Sequence, residues 1–111
     1  MAIVNGQLTT TDLDILVVPA GKTYAITNIL VCNNDATNSA SFDLHFIPSG
    51  QPRSNAITRI INNLELPAKE TFTFDSERIV LEAGDKITFV AEPDIGANLT
   101  DLSATVSYLE V

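Results

Sequence analysis

Leu102-Ser103-Ala104-Thr105-Val106-Ser107-Tyr108 alternates apolar and hydroxyl-bearing side chains without a break. A period of two is that of an extended strand, and it sends the apolar set to one face and the hydroxyl set to the other. The same alternation recurs in Phe42, Leu44 and Phe46 against Asp43 and His45, in Phe72 and Phe74 against Thr71 and Thr73, and in Ile87, Phe89 and Ala91 against Thr88 and Val90. Four further apolar pieces, Asp14 to Val18, Thr23 to Asn33, Ile60 to Leu66 and Arg78 to Glu82, bring the expectation to about eight short strands. Many short strands at regular spacing, bounded by Gly, Pro, Asn and Asp, read as an all-β sandwich or barrel.

One stretch competes for a helix. Ile57, Ile60, Ile61 and Leu64 fall at i, i+3, i+4 and i+7, and Ser54 stands ready as a cap. Thr58, the isoleucines and the Asn62-Asn63 pair are mediocre helix formers, and Pro67 ends the stretch, so it is read as mainly extended with at most one helical turn around Asn55 to Arg59.

The corners repeat. Val18-Pro19-Ala20-Gly21-Lys22-Thr23-Tyr24 aligns with Leu66-Pro67-Ala68-Lys69-Glu70-Thr71-Phe72, and Ala83-Gly84-Asp85-Lys86-Ile87 echoes the end of the pattern. Each is a strand, a tight polar turn and a new strand: proline lacks the N–H to continue a ladder, and Gly21 and Gly84 supply a positive φ. Two related corners half a chain apart suit two Greek-key halves facing each other. The expected architecture is therefore an antiparallel β-sandwich, jelly-roll-like, occupying residues 13–111, with the polar, Thr-rich residues 1–12 as an amino-terminal arm that orders on a partner.

Composition narrows function. The 111 residues hold 45% hydrophobic side chains, one Cys, one His, no Trp and a net charge of -8. Six Lys and Arg scattered singly give no basic cluster for nucleic acid or an anionic membrane. The longest apolar runs, such as Ile29 to Cys32, fall far short of a helical membrane span of about 20 residues. The amino terminus has neither a basic start nor a long apolar stretch, which predicts no signal peptide and synthesis in a reducing cytosol.

Chemistry is poorly supplied. Cys32 closes the run Ile29-Leu30-Val31 and reads as a small packed hydrophobe, while His45 alternates outward and reads as a solvated or interface residue. Zinc needs three or four His or Cys ligands, and a cupin-type enzyme needs a His-rich metal constellation; two such residues make neither. Asp12 with Asp14, Glu92 with Asp94, and Asp101 match no calcium-loop spacing and read as solvated turn residues. Asn98-Leu99-Thr100 has the form of a glycosylation acceptor and reads as a loop accident. No catalytic residue, cofactor or metal is expected.

Strand phase holds the remaining anomaly. Between Thr23 and Asn33 either phase leaves large aliphatics on the second face, Ile26 and Leu30 on one side and Ile29 and Val31 on the other; Ile47, Ile61, Val90 and Leu109 are also out of phase with their neighbours. A bulge or covering loop explains this equally with a second face buried by another chain. Under the latter reading Ile29, Val31, Ile47, Ile61, Val90 and Leu109 form a candidate interface, and association also protects the sheet edges.

Across nearly the whole chain from about residue 14, the elements Gly21 to Asn33, Ser41 to Phe46, Leu66 to Thr71, Ile79 to Ile87 and the ending Val106 to Glu110 resemble small β-sandwich virion proteins of tailed bacteriophages. The shared positions are strands and corners, so the resemblance transfers no functional residue. It implies a non-enzymatic virion subunit, made in the host cytoplasm, that self-associates as a homotrimer or other homo-oligomer. It further implies docking on other virion proteins, such as a major capsid protein or tail proteins. Capsid decoration (cement) is the favoured role because the chain is one compact module without fibre repeat or coiled coil. The alternative is a tail, neck or fibre component that binds a receptor or glycan through loops at Asn34 to Ser39, Gln51 to Asn55 and Asp94 to Asp101.

Overall fold

A computed structural model describes residues 2–74, 79–92 and 102–111. Among them lie nine strands: β1 (Ala2–Gln7), β2 (Leu13–Val17), β3 (Thr23–Asn33), β4 (Ala40–Ile47), β5 (Arg59–Leu66), β6 (Thr71–Phe74), β7 (Ile79–Glu82), β8 (Lys86–Glu92) and β9 (Leu102–Glu110). They form two antiparallel sheets, one in the order β1-β9-β3-β6 with β7 also on β3, the other in the order β2-β8-β4-β5. The chain is an all-β antiparallel sandwich. β6 and β7 occupy successive halves of one flank, Phe72 opposite Val31 and Val80 opposite Ala25.

The apolar phase of each strand faces a single core between the sheets. Phe42, Leu44, Ile87 and Phe89 from one sheet meet Ile29, Val31, Leu102, Ala104 and Val106 from the other, all fully buried. Phe42 packs edge-on to Phe72 at 5.9 Å between ring centroids, and Phe46 likewise to Phe74 at 6.4 Å.

The repeated corners share one turn geometry. Lys22 N donates to Pro19 O and Glu70 N to Pro67 O, each at 3.2 Å, while Asp85 N donates to Glu82 O at 3.0 Å. The third residue of each turn has a positive φ: 79° at Gly21, 67° at Lys69 and 87° at Gly84.

Two expectations are corrected. Residues 1–12 are not a free arm: β1 pairs in register with β9, from Ala2 opposite Tyr108 to Gln7 opposite Ser103. Leu8 is fully buried, its N–H bonded to Leu102 O, and Thr9 O accepts from Ala91 N of the other sheet. The segment thus stitches the two layers together. The second correction concerns phase in the long strand. The β3–β9 register slips between Ile26 and Asn28, so Tyr24 and Ile26 face the core before the slip and Ile29 and Val31 face it afterwards. A β-bulge flips the alternation, and Ile29 and Val31 are core residues.

The stretch that competed for a helix splits as its propensities demand. Thr58 N bonds Ser54 O at 2.9 Å, one helical turn with Ser54 Oγ accepting from Ala56 N at 3.2 Å, and β5 follows at once.

Candidate functional site

The outer faces of the two sheets are unlike. On the second sheet, register aligns Asp14, Thr88, His45 and Arg59 in one row across β2, β8, β4 and β5. Thr88 Oγ1 donates to Asp14 Oδ1 at 2.7 Å, Lys86 Nζ lies 3.5 Å from Asp14 Oδ2, and Asp43 Oδ1 accepts from Asn63 N at 2.6 Å. Over this row lies the segment between β4 and β5. Its Arg53 places Nε 2.9 Å from Asp12 Oδ1, and its Thr58 places Oγ1 2.9 Å from His45 Nδ1.

His45 is therefore fully buried, not solvated as its outward phase suggests. Its Nε2 faces Arg53 Nη1 at 3.5 Å. A guanidinium only donates, so Nε2 is the bare nitrogen and Nδ1 carries the proton. Nδ1–H then donates to Thr58 Oγ1, which also accepts from Ser54 N and gives its own proton to Ser54 O, both at 2.9 Å. Burial lowers the His45 pKa from its ordinary value, reinforced by Arg53 and Arg59 and opposed by Asp43 and Asp12. Thr58 directs its proton away from the imidazole, so the pair pins the covering segment to the sheet and does not activate a nucleophile.

The six candidate interface residues divide accordingly. Ile29 and Val31 belong to the core because of the β3 bulge, and Ile61 packs half-buried against it. Ile47 and Val90 are buried, 2% and 8% exposed, but stand outside the core cluster, on the outer side of the second sheet beside the covered row. Only Leu109 is exposed, at 37%. Cys32 is a half-buried free thiol whose Sγ lies 3.4 Å from Asn34 Oδ1.

Leu109 leads to the face that phase analysis did not single out. On the outer side of the first sheet, register aligns Asn5, Thr105, Leu30 and Thr73 in one row, and Gln7, Ser103, Cys32 and Thr71 in the next. Leu109, Ala25 and Val80 form a third row, with Ile3 and Ser107 beside it. Thr27 Oγ1 and Ser107 Oγ share a 2.6 Å hydrogen bond across the bulge. Among the described residues of this face, Glu82 at its margin is the one charged side chain. Arg53, Arg59 and Lys86, by contrast, all sit on the other sheet's side, paired with Asp12, Asp43 and Asp14. Ile3 and Val80 are 66% and 55% exposed.

No group of three or more His, Cys, Asp or Glu among the described residues gathers as a metal site. The carboxylates Asp94 and Asp101, the acceptor triplet Asn98-Leu99-Thr100 and the loop Asp94 to Asp101 lie outside the described residues. A cavity of about 80 Å³ lined by Phe46, Ile47, Pro48, Leu81 and Asp85 is small beside the roughly 300–1,000 Å³ of small-molecule sites. Among the described residues, no helix is long and apolar enough to cross a membrane. Comparison with protein-family models, curated proteins and solved structures finds no match to this chain.

Proposed function

We propose that the protein is a non-enzymatic virion structural subunit of a tailed bacteriophage, a capsid decoration (cement) module that self-associates and docks on the particle. The carrying observation is the broad outer face of the first sheet, nearly uncharged among its described residues, on a chain of net charge -8, with Ile3, Val80 and Leu109 exposed on it. Interface centres are depleted in charge, and exposed aliphatics grouped on one face mark contact surfaces. The sandwich supplies rigidity, and area burial supplies affinity at roughly 25 cal/mol per Å² before the costs of association.

Strand order favours the jelly-roll reading. With β6 and β7 counted as one interrupted strand, each sheet has four positions, β1-β9-β3-β6/β7 and β2-β8-β4-β5, and the chain passes between layers as two nested Greek keys require. Together with the strand-and-corner resemblance, this supports a virion component, and a single module without fibre repeat or coiled coil favours decoration over a receptor-binding tail part. The test is antibody labelling of particles from cells that carry the gene. Label on purified particle heads is expected; protein found only free of particles overturns the proposal.

A further inference from the structure

We infer that two copies of this chain meet back to back through the outer face of the first sheet, with the row Asn5-Thr105-Leu30-Thr73 near the centre of the contact. The inference rests on the self-association proposed above and names the surface that carries it.

Three observations select a second copy as the occupant. The first is charge. At net charge -8 two copies repel wherever carboxylates face each other, and this face presents only the marginal Glu82 among its described residues. A basic partner would gain nothing from a neutral face and would be drawn to the acidic surfaces elsewhere; an identical acidic chain is the partner for which neutrality matters. The second is area. Strands spaced about 4.8 Å apart, rising about 3.4 Å per residue, give this four-strand face roughly 600 Å². Two such faces bury roughly 1,200 Å², the lower bound of stable specific interfaces. The third is shape. Two identical sheets carry the same twist, so they stack face to face as the layers of a sandwich do, and a two-fold contact needs one patch that matches itself. Aliphatic Leu30, Ala25 and Leu109 alternate there with hydroxyl and amide side chains able to both donate and accept.

The test uses the full chain in three forms: wild type, a double Glu variant (Ala25→Glu with Thr105→Glu) and a double Lys variant (Ala25→Lys with Thr105→Lys). Each is followed by sedimentation velocity, with circular dichroism to confirm the fold. The expected result is an assembled wild type, at least tenfold weaker association of each variant alone, and restored association when the Glu and Lys variants are mixed. Ile60→Glu, at an exposed site on the other sheet, leaves assembly unchanged. An assembled wild type whose folded face variants also assemble, or whose mixture does not reassociate, overturns this surface while leaving self-association standing. If the face variants do not fold, Val80→Glu on the edge strand β7 replaces them, and unchanged assembly overturns the surface. A wild type that stays monomeric overturns self-association itself, and this inference with it.

Discussion

His45 Nδ1 lies 2.9 Å from Thr58 Oγ1 in a site closed to solvent, with Arg53 on the other side of the ring. The folded state holds this imidazole neutral, because burial and the two arginines lower its pKa. The unfolded chain takes up a proton near the ordinary value of about 6.5. The contribution is therefore present in full above that value and is lost as pH falls from it toward the lowered folded value. Thermal stability of the wild type is expected to fall as pH drops across that window, and His45→Gln is expected to flatten the dependence there. Parallel pH profiles for the two proteins would contradict the assignment.

Removing the hydroxyl partner is the complementary change. Thr58→Val strips the acceptor used by His45 and Ser54 N inside a buried site, where each orphaned group costs about 1–3 kcal/mol. Urea unfolding should show a loss of at least about 2 kcal/mol with an unchanged slope.

Gly84 and Lys69 occupy the same position in two related corners and should respond oppositely to substitution. Gly84 has φ 87°, and a Cβ there would collide with Ser49 Oγ. Gly84→Ala is expected to lose about 2 kcal/mol or more, beyond the backbone strain alone, which is of order 1–3 kcal/mol. Lys69 holds φ 67° with a side chain attached. Lys69→Gly relieves that strain and should be neutral or stabilising by about 1 kcal/mol, with the entropy of glycine partly offsetting the gain. Chemical denaturation of both variants checks the pair.

The amino-terminal strand is integral. Deleting residues 1–8 removes the β1–β9 ladder and the fully buried Leu8, whose burial alone is worth roughly 1.5–3 kcal/mol. The truncated chain should unfold at markedly lower denaturant concentration. Unchanged stability would restore the arm reading.

Much of the sandwich was legible because alternation is local: Phe42 to Phe46 and Leu102 to Tyr108 declare their faces without tertiary context. β1 was missed because Asn5 and Gly6 interrupt its apolar pattern, so only pairing with β9 identifies it as a strand. Four of the six interface candidates are buried for two physical reasons, while Leu109 stays exposed. A bulge between Ile26 and Asn28 reverses phase, which placed Ile29 and Val31 on the wrong face, and the covered outer side of the second sheet accounts for Ile47 and Val90. His45 was misread for the same cause, since nothing in an alternating strand announces that residues 53–58 fold back over it. The uncharged face did leave a signal. Thr71, Thr73, Ser103, Thr105 and Ser107 are alternate positions of β6 and of β9 that carry hydroxyls and no charge, but their alignment into one surface needs the register.

Assembly of this chain through the outer face of its first sheet is tested most directly by sedimentation equilibrium of the wild type as a function of salt. Copies of charge -8 joined through a neutral face repel through their remaining surfaces. Raising ionic strength from about 0.01 M to about 0.15 M shortens the screening length from about 30 Å to about 8 Å and should therefore tighten association. The expected result is a mass of at least twice the single chain that grows more stable with salt. A single-chain mass at every salt and protein concentration, or an assembly that salt dissolves, would contradict the account.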